Sequence, residues 1–205
     1  DSLPGELDLE PETIETEWGE QTLHRVPGAD RSAYVLFRHE VPHRLLPNQI
    51  DYRAQAAALR AIDCGALLVT SSVGVLDRDV PLYRSLLVDD LLMLENRLPD
   101  GTACSMFTAP SDDHGHLVLD DGLFATALTE QVRDLAGKVR ASVAADVTFA
   151  YVQGPRSKTA AENRALPRLG AQVNSMTLGP EVVLANELEI PCAGLVVGHK
   201  YSIPD

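Results

Sequence analysis

The sequence predicts an α/β domain of three layers, with helices on both faces of a central, mixed and mostly parallel β-sheet. Three features predict it. From Ser32 onward, compact apolar runs alternate with helix-like stretches, the pattern of strand–helix–strand units. Several of those runs, such as AYVLF and CAGLVVG, are apolar throughout, as strands buried on both faces are. With 205 residues, 45% hydrophobic and 23% charged, the chain has the make-up of an ordinary globular protein, and we read residues 1–205 as a single domain.

The first 30 residues are acidic, broken by Pro4, Pro11 and Pro27, and read as a surface lead-in with little periodicity beyond a short strand around Glu20 to Val26. The run AYVLF (33–37) is the first strand of the repeating unit. A turn-rich loop and a helix over DYRAQAAALRAID (51–63) follow it, then strands over ALLVTSSVGVL (66–76) and LLVDDLLMLEN (86–96). In DDGLFATALTEQVRDLAGKV (120–139), Leu128, Val132 and Leu135 recur at helical spacing behind a capping Asp121. DVTFAYVQGP (146–155) reads as a strand, Thr159 and Glu162 form a capping box, and Pro180 to Glu189 is a helix with proline in its first turn. CAGLVVG (192–198) closes the sheet.

Charge narrows the function. Seventeen basic against 30 acidic residues give a net charge of −13, and no segment gathers Lys and Arg into a stripe, so nucleic acid and anionic membrane are excluded as partners. No apolar run approaches the roughly 18 residues of a membrane span. Cys64, Cys104 and Cys192 are widely spaced and flanked by apolar residues, as reduced structural thiols of a cytoplasmic protein are, and they form no zinc pattern. A cytoplasmic protein without a resident metal or cofactor is the expectation.

In open α/β sheets ligands gather at strand ends. Arg38-His39 follows AYVLF, with His43 and Arg44 beyond; Ser71-Ser72 precedes Gly74 after ALLVT; Gln153-Gly154-Pro155-Arg156 follows FAYV. An arginine beside hydroxyls and backbone amides at a Ser-Ser-x-Gly turn can hold an oxyanion such as phosphate. The same Arg-His pair also serves as a packing feature, and local chemistry leaves both readings open.

Two long stretches go further. RHEVPHRLLPNQIDYRAQAAALRAIDCGALLVTSSVGVL (38–76) resembles methylthioadenosine phosphorylases and related purine nucleoside phosphorylases, where Arg-His, a downstream His, an Asn/Asp-Tyr-Arg-Ala helix start and a V-G-S-L turn occur in this order. VQGPRSKTAAENRALPRLGAQVNSMTLGPEVVLANELEIPCAGLVV (152–197) is similar to the same family's E-G-P-R-F…A-E…W-G-A-D…M-T…P-E-V-V-L-A-x-E segment. The resemblance implies a nucleoside phosphorylase fold in which Arg38, His39, Ser71, Ser72 and Thr177 face phosphate, the co-substrate, and Met176 lies under the ribose. It also implies that His116, in HGHLVLDD, reaches into a neighbour's pocket, and hence a homotrimer. Gln153, Ser157, Ser202, His199 and Lys200 fall where the family handles the base.

The departures matter. The family's opening Gly-rich turn and the helices after its last strand have no counterpart in these 205 residues. The glutamate and the base-stacking aromatic of E-G-P-R-F are Gln153 and Ser157, and the glycine after Arg-His is Glu40. Where the family places an acid or amide against the purine, an ungapped match puts Lys200, with Ser202 for the second acid; a one-residue slip puts His199 there instead. An ammonium only donates hydrogen bonds, which disfavours adenine. The resemblance therefore implies a divergent nucleoside phosphorylase that cleaves the N-glycosidic bond of a purine-type or 5′-modified nucleoside. A hydrolase on the same scaffold, or a non-catalytic homologue that keeps the fold and trimer, is the alternative.

Overall fold

A computed structural model describes residues 8–111, 114–139 and 141–203. Eight strands and four α-helices follow one another as β1 (Glu10–Thr16), β2 (Gly19–Arg25), β3 (Tyr34–Val35), α1 (Tyr52–Ala61), β4 (Leu67–Val75), β5 (Ser85–Leu92), α2 (Thr126–Lys138), β6 (Val143–Tyr151), α3 (Ala160–Ala165), β7 (Val173–Ser175), α4 (Gly179–Glu187) and β8 (Cys192–Tyr201).

Strands β4, β7, β6, β5 and β8 form a sheet that closes into a barrel. The pairs β4–β8, β5–β6 and β6–β7 are parallel, while β4–β7 and β5–β8 are antiparallel, so the mixed, mostly parallel sheet stands. Val73, Val75, Leu86, Val88, Val147, Phe149, Val173 and Val196 are fully buried and pack with Leu178, Val182 and Ala185 at and within α4. On the other side Val132 of α2 packs with Leu87 and Ala193. Helical cover is incomplete, because Leu68 of β4 and Val197 of β8 remain 45% and 39% exposed.

Local chemistry explains the elements. The Asp51 carboxylate accepts from the Ala54 amide and starts α1, whose small residues let it bury nearly its whole length. Thr159 and Glu162 cap α3 reciprocally, and Pro180 opens α4, as their sequence signals predict. Asp121 caps α2 from five residues upstream by accepting from the Thr126 amide and hydroxyl. Leu135 is a correction: it keeps the helical spacing yet is 58% exposed, on the solvent side of α2.

Three further expectations change. AYVLF is not a strand of the central sheet; only Tyr34 and Val35 pair, antiparallel, with β2. The lead-in is more ordered than its composition suggests. Residues 10–25 form an antiparallel hairpin turning at Glu17-Trp18, and the Arg53 guanidinium of α1 lies 5.1 Å over the Trp18 ring. The start of that lead-in, residues 1–7, lies outside the described residues. Finally, Ser71-Ser72 is no turn, because β4 runs through it to Val75, and the last strand continues past Gly198 to Tyr201.

Candidate functional site

Arg38 follows β3 and is gripped on three sides. Its Nε lies 3.0 Å from the Glu181 carboxylate in the first turn of α4, and its Nη2 donates to the Tyr52 hydroxyl at 2.7 Å and to the Met176 carbonyl at 2.9 Å. Gln55 of α1 donates to the Arg38 carbonyl, so α1 holds both ends of the residue. Burial drives the Glu181 carboxyl above the usual carboxylate range, opposed by the Arg38 charge. Burial, then the Glu181 charge, pushes the Tyr52 phenol up in turn, and the same causes take Tyr151 to about 12. The helix carrying Glu181 is turned onto the arginine by Leu178, whose φ of 74° an L-residue adopts at a cost of about 1 kcal/mol.

His39 donates from Nδ1 to the Leu45 carbonyl at 2.7 Å, leaving Nε2 of the neutral ring to accept from Arg38 Nη1 at 3.3 Å. Burial first, and then the Arg38 charge, holds this imidazole below its ordinary value. Glu40, which would bring negative charge toward an anion, is turned aside and accepts from Arg44 Nε at 2.7 Å. Its φ of 64° is in the region glycine prefers, consistent with the glycine the resembling family carries at that position.

The cleft that Arg38 lines also carries the hydroxyls of Ser71, Ser72 and Thr177. Thr177 Oγ1 donates to Ser71 Oγ at 2.8 Å, and Ser72 Oγ meets His199 Nδ1 at 2.8 Å. All four side chains line, with Arg38, His39, Met176, Ser157, Lys200 and Ser202, one open cleft of about 1370 Å³. Gly154 has no side chain to give because a Cβ there would lie 2.6 Å from the Met176 sulfur.

Between β4 and β8 the register shifts: Val73 pairs with Gly198, but Gly74 pairs with Lys200, leaving His199 as the extra residue of a bulge. Alternation would send neighbours to opposite faces. The bulge lets His199 and Lys200 both reach the cleft.

Two sequence-derived candidates lie elsewhere. Gln153 does not line the cleft; its amide donates to the Leu98 carbonyl at 3.1 Å. His116 is exposed on the long segment before α2 and does not line this chain's own cleft. Conversely, Glu181, Tyr52, Lys158 and Asn174 line the cleft without a sequence signal that marks them. Glu181 falls within P-E-V-V-L-A, whose helical pattern gives no sign that its acid points inward. Among the described residues no cluster of His, Cys, Asp or Glu could hold a metal, and no helix is long and apolar enough to cross a membrane.

The fold and cleft together are those of a nucleoside phosphorylase-type α/β protein. The structure superimposes on a mutant adenosine/methylthioadenosine phosphorylase of Schistosoma mansoni in complex with adenine, with a TM-score of 0.81 at 22% identity, covering 92% of this chain and 72% of that one. A methylthioadenosine phosphorylase from an antarctic soil metagenomic library gives a TM-score of 0.81 at 23% identity over 95% of this chain and 67% of its own. In sequence, a probable S-methyl-5′-thioinosine phosphorylase of Methanopyrus kandleri is 30% identical over 191 residues, 93% of this chain and 72% of that protein. A probable 6-oxopurine nucleoside phosphorylase of Thermococcus kodakarensis is 29% identical over 202 residues, 95% of this chain and 73% of its own length. The profile of the Phosphorylase superfamily matches residues 3–198, and this chain belongs to that family.

Proposed function

We propose that the protein is a divergent nucleoside phosphorylase, a pentosyltransferase that cleaves the N-glycosidic bond of a purine-type nucleoside with phosphate. The observation that carries the reading is the meeting of Arg38 and the Thr177–Ser71 hydroxyl pair in one cleft of this fold. With Nε and Nη2 engaged by Glu181, Tyr52 and Met176 and one Nη1 N–H on His39, Arg38 keeps its second Nη1 N–H for a ligand, and the hydroxyls can rotate to donate, so a phosphate between them meets several donors. One phosphate oxygen bonds to C1′ as the C1′–N bond breaks, the electron pair leaving on the base nitrogen, which takes a proton. The transition state is an oxocarbenium-like sugar, stabilised by the placement of charge.

Lys200 and His199 stand where the resemblance puts the base, and their donors favour a carbonyl on the purine over the amino group of adenine. The S-methyl-5′-thioinosine and 6-oxopurine names of the two relatives above point the same way. Assembly as a homotrimer, with His116 entering a neighbour's cleft, completes the reading; a single monomeric species by light scattering at micromolar concentration would remove it. A second reading, a ligand-binding homologue without catalysis, is favoured by one observation: Glu181 already neutralises Arg38.

Calorimetry of inorganic phosphate on the wild type, Arg38→Met and Arg38→Met/Glu181→Gln separates them. Binding by the wild type, lost in both variants, supports the phosphate role. A folded double variant that binds phosphate as the wild type does would overturn it.

A further inference from the structure

Lys158 stands between β6 and α3, and Lys200 on the bulged end of β8. Both line the cleft beside Ser157 and Ser202. Lys158 is half-buried, and burial, followed by the charge of Lys200, lowers its pKa. Glu162, the acid whose charge acts on Lys158, is engaged elsewhere: it takes two bonds from Arg156 at 2.9 and 2.7 Å and one from the Thr159 amide. Other acids of the cleft are likewise turned away, Glu181 to Arg38 and Glu40 to Arg44. Asp63 sits before the N-terminal end of β4, whereas Lys200 pairs with Gly74 near its C-terminal end. Neither lysine has a hydrogen bond or ion pair among the described residues.

Two ammonium groups that repel each other in a concave site, in a chain of net charge −13, are chemically incomplete. Partly burying Lys158 beside the exposed Lys200 without a counter-ion is unfavourable, and an anion brought between the two ammonium groups removes the repulsion. Arg38 belongs to the proposed phosphate site and is held there by Glu181. We propose that Lys158 and Lys200 form a second anion subsite, distinct from the phosphate donors, that selects a nucleoside carrying its own negative charge on the base or on the 5′ substituent. The proposal rests on the phosphorylase reading for the identity of its ligand, not for the existence of the subsite.

The test compares three probes on the purified protein, by kcat/KM with phosphate and by calorimetry. They are inosine, which is neutral; xanthosine, whose dioxo base ionises near neutral pH; and inosine 5′-carboxylic acid. The expected result is a preference of roughly tenfold or more for one anionic nucleoside over inosine, the size of a charge-assisted hydrogen bond. That preference shrinks toward unity in Lys158→Met and in Lys200→Met, and persists in Lys158→Arg. Which acid is preferred places the charge on the base or at the 5′ end. Equal handling of all three, or a preference unmoved by the Met variants, overturns the subsite and leaves the phosphorylase reading intact. Binding of an anionic nucleoside that is lost in the Met variants, without cleavage of any probe, keeps the subsite and overturns the phosphorylase reading.

Discussion

The Glu181 carboxylate lies 3.0 Å from Arg38 Nε, with both side chains largely out of solvent, so the arginine proposed to meet phosphate is held by an acid on the opposite side. The pair holds the guanidinium at Nε, while Nη1 lies 3.3 Å from His39 Nε2. It also ties the anion site to the stability of the fold.

Removing one member of such a pair strands the other. Arg38→Met should therefore cost about 3 kcal/mol, or roughly 6–12 °C in melting temperature for a chain of this size. Adding Glu181→Gln should recover much of that loss. Thermal melts check both, and a double variant no more stable than Arg38→Met would mean that the ion pair is not what the single change breaks.

His39 sets a pH dependence. Its folded-state pKa lies below the ordinary 6.5, so between the two values the unfolded chain binds more protons than the native one. Stability attributable to His39 is thus full above 6.5 and is lost as pH falls below it. Glu181, shifted upward, acts with the opposite sign above its ordinary 4.5. Melts of the wild type and His39→Gln across about pH 5 to 8 isolate the first effect, which should vanish in the variant.

Glu40 holds a left-handed backbone with φ of 64°. Glu40→Gly should relieve about 1 kcal/mol of strain, offset in part by the greater freedom of glycine in the unfolded chain. The exposed pair with Arg44 contributes little. A melting temperature at or above that of the wild type is expected, together with phosphate binding no weaker than before; a clear loss of either would show that Glu40 has a positive role.

These relationships differ in how far the sequence reveals them. Arg38, Ser71 and Thr177 are legible as candidates because strand ends and a long ordered resemblance mark them. The partners of Arg38, Glu181 and Tyr52, are not, since an acid on an apolar helix and a tyrosine at a helix start carry no sign of where they point. The hairpin of residues 10–25 hid for a related reason: Leu23 is its one fully buried side chain, so the alternation that betrays a strand is nearly absent. The placement of His199 and Lys200 needed the bulge, a feature of pairing with β4 that β8 cannot show alone. AYVLF misled because its apolarity suggests a central strand, whereas Leu36 and Phe37 pack beyond the two residues that pair with β2.

The central claim is that bound phosphate, not water, takes the sugar. The most direct measurement follows cleavage of a panel of purine nucleosides, with inosine and methylthioinosine beside adenosine and methylthioadenosine, in the presence and absence of phosphate, with the sugar product identified. Phosphate-dependent cleavage that yields a pentose 1-phosphate, strongest with the oxo bases, is the predicted result. Cleavage that proceeds equally without phosphate to give the free sugar, or no cleavage of any member, would contradict it.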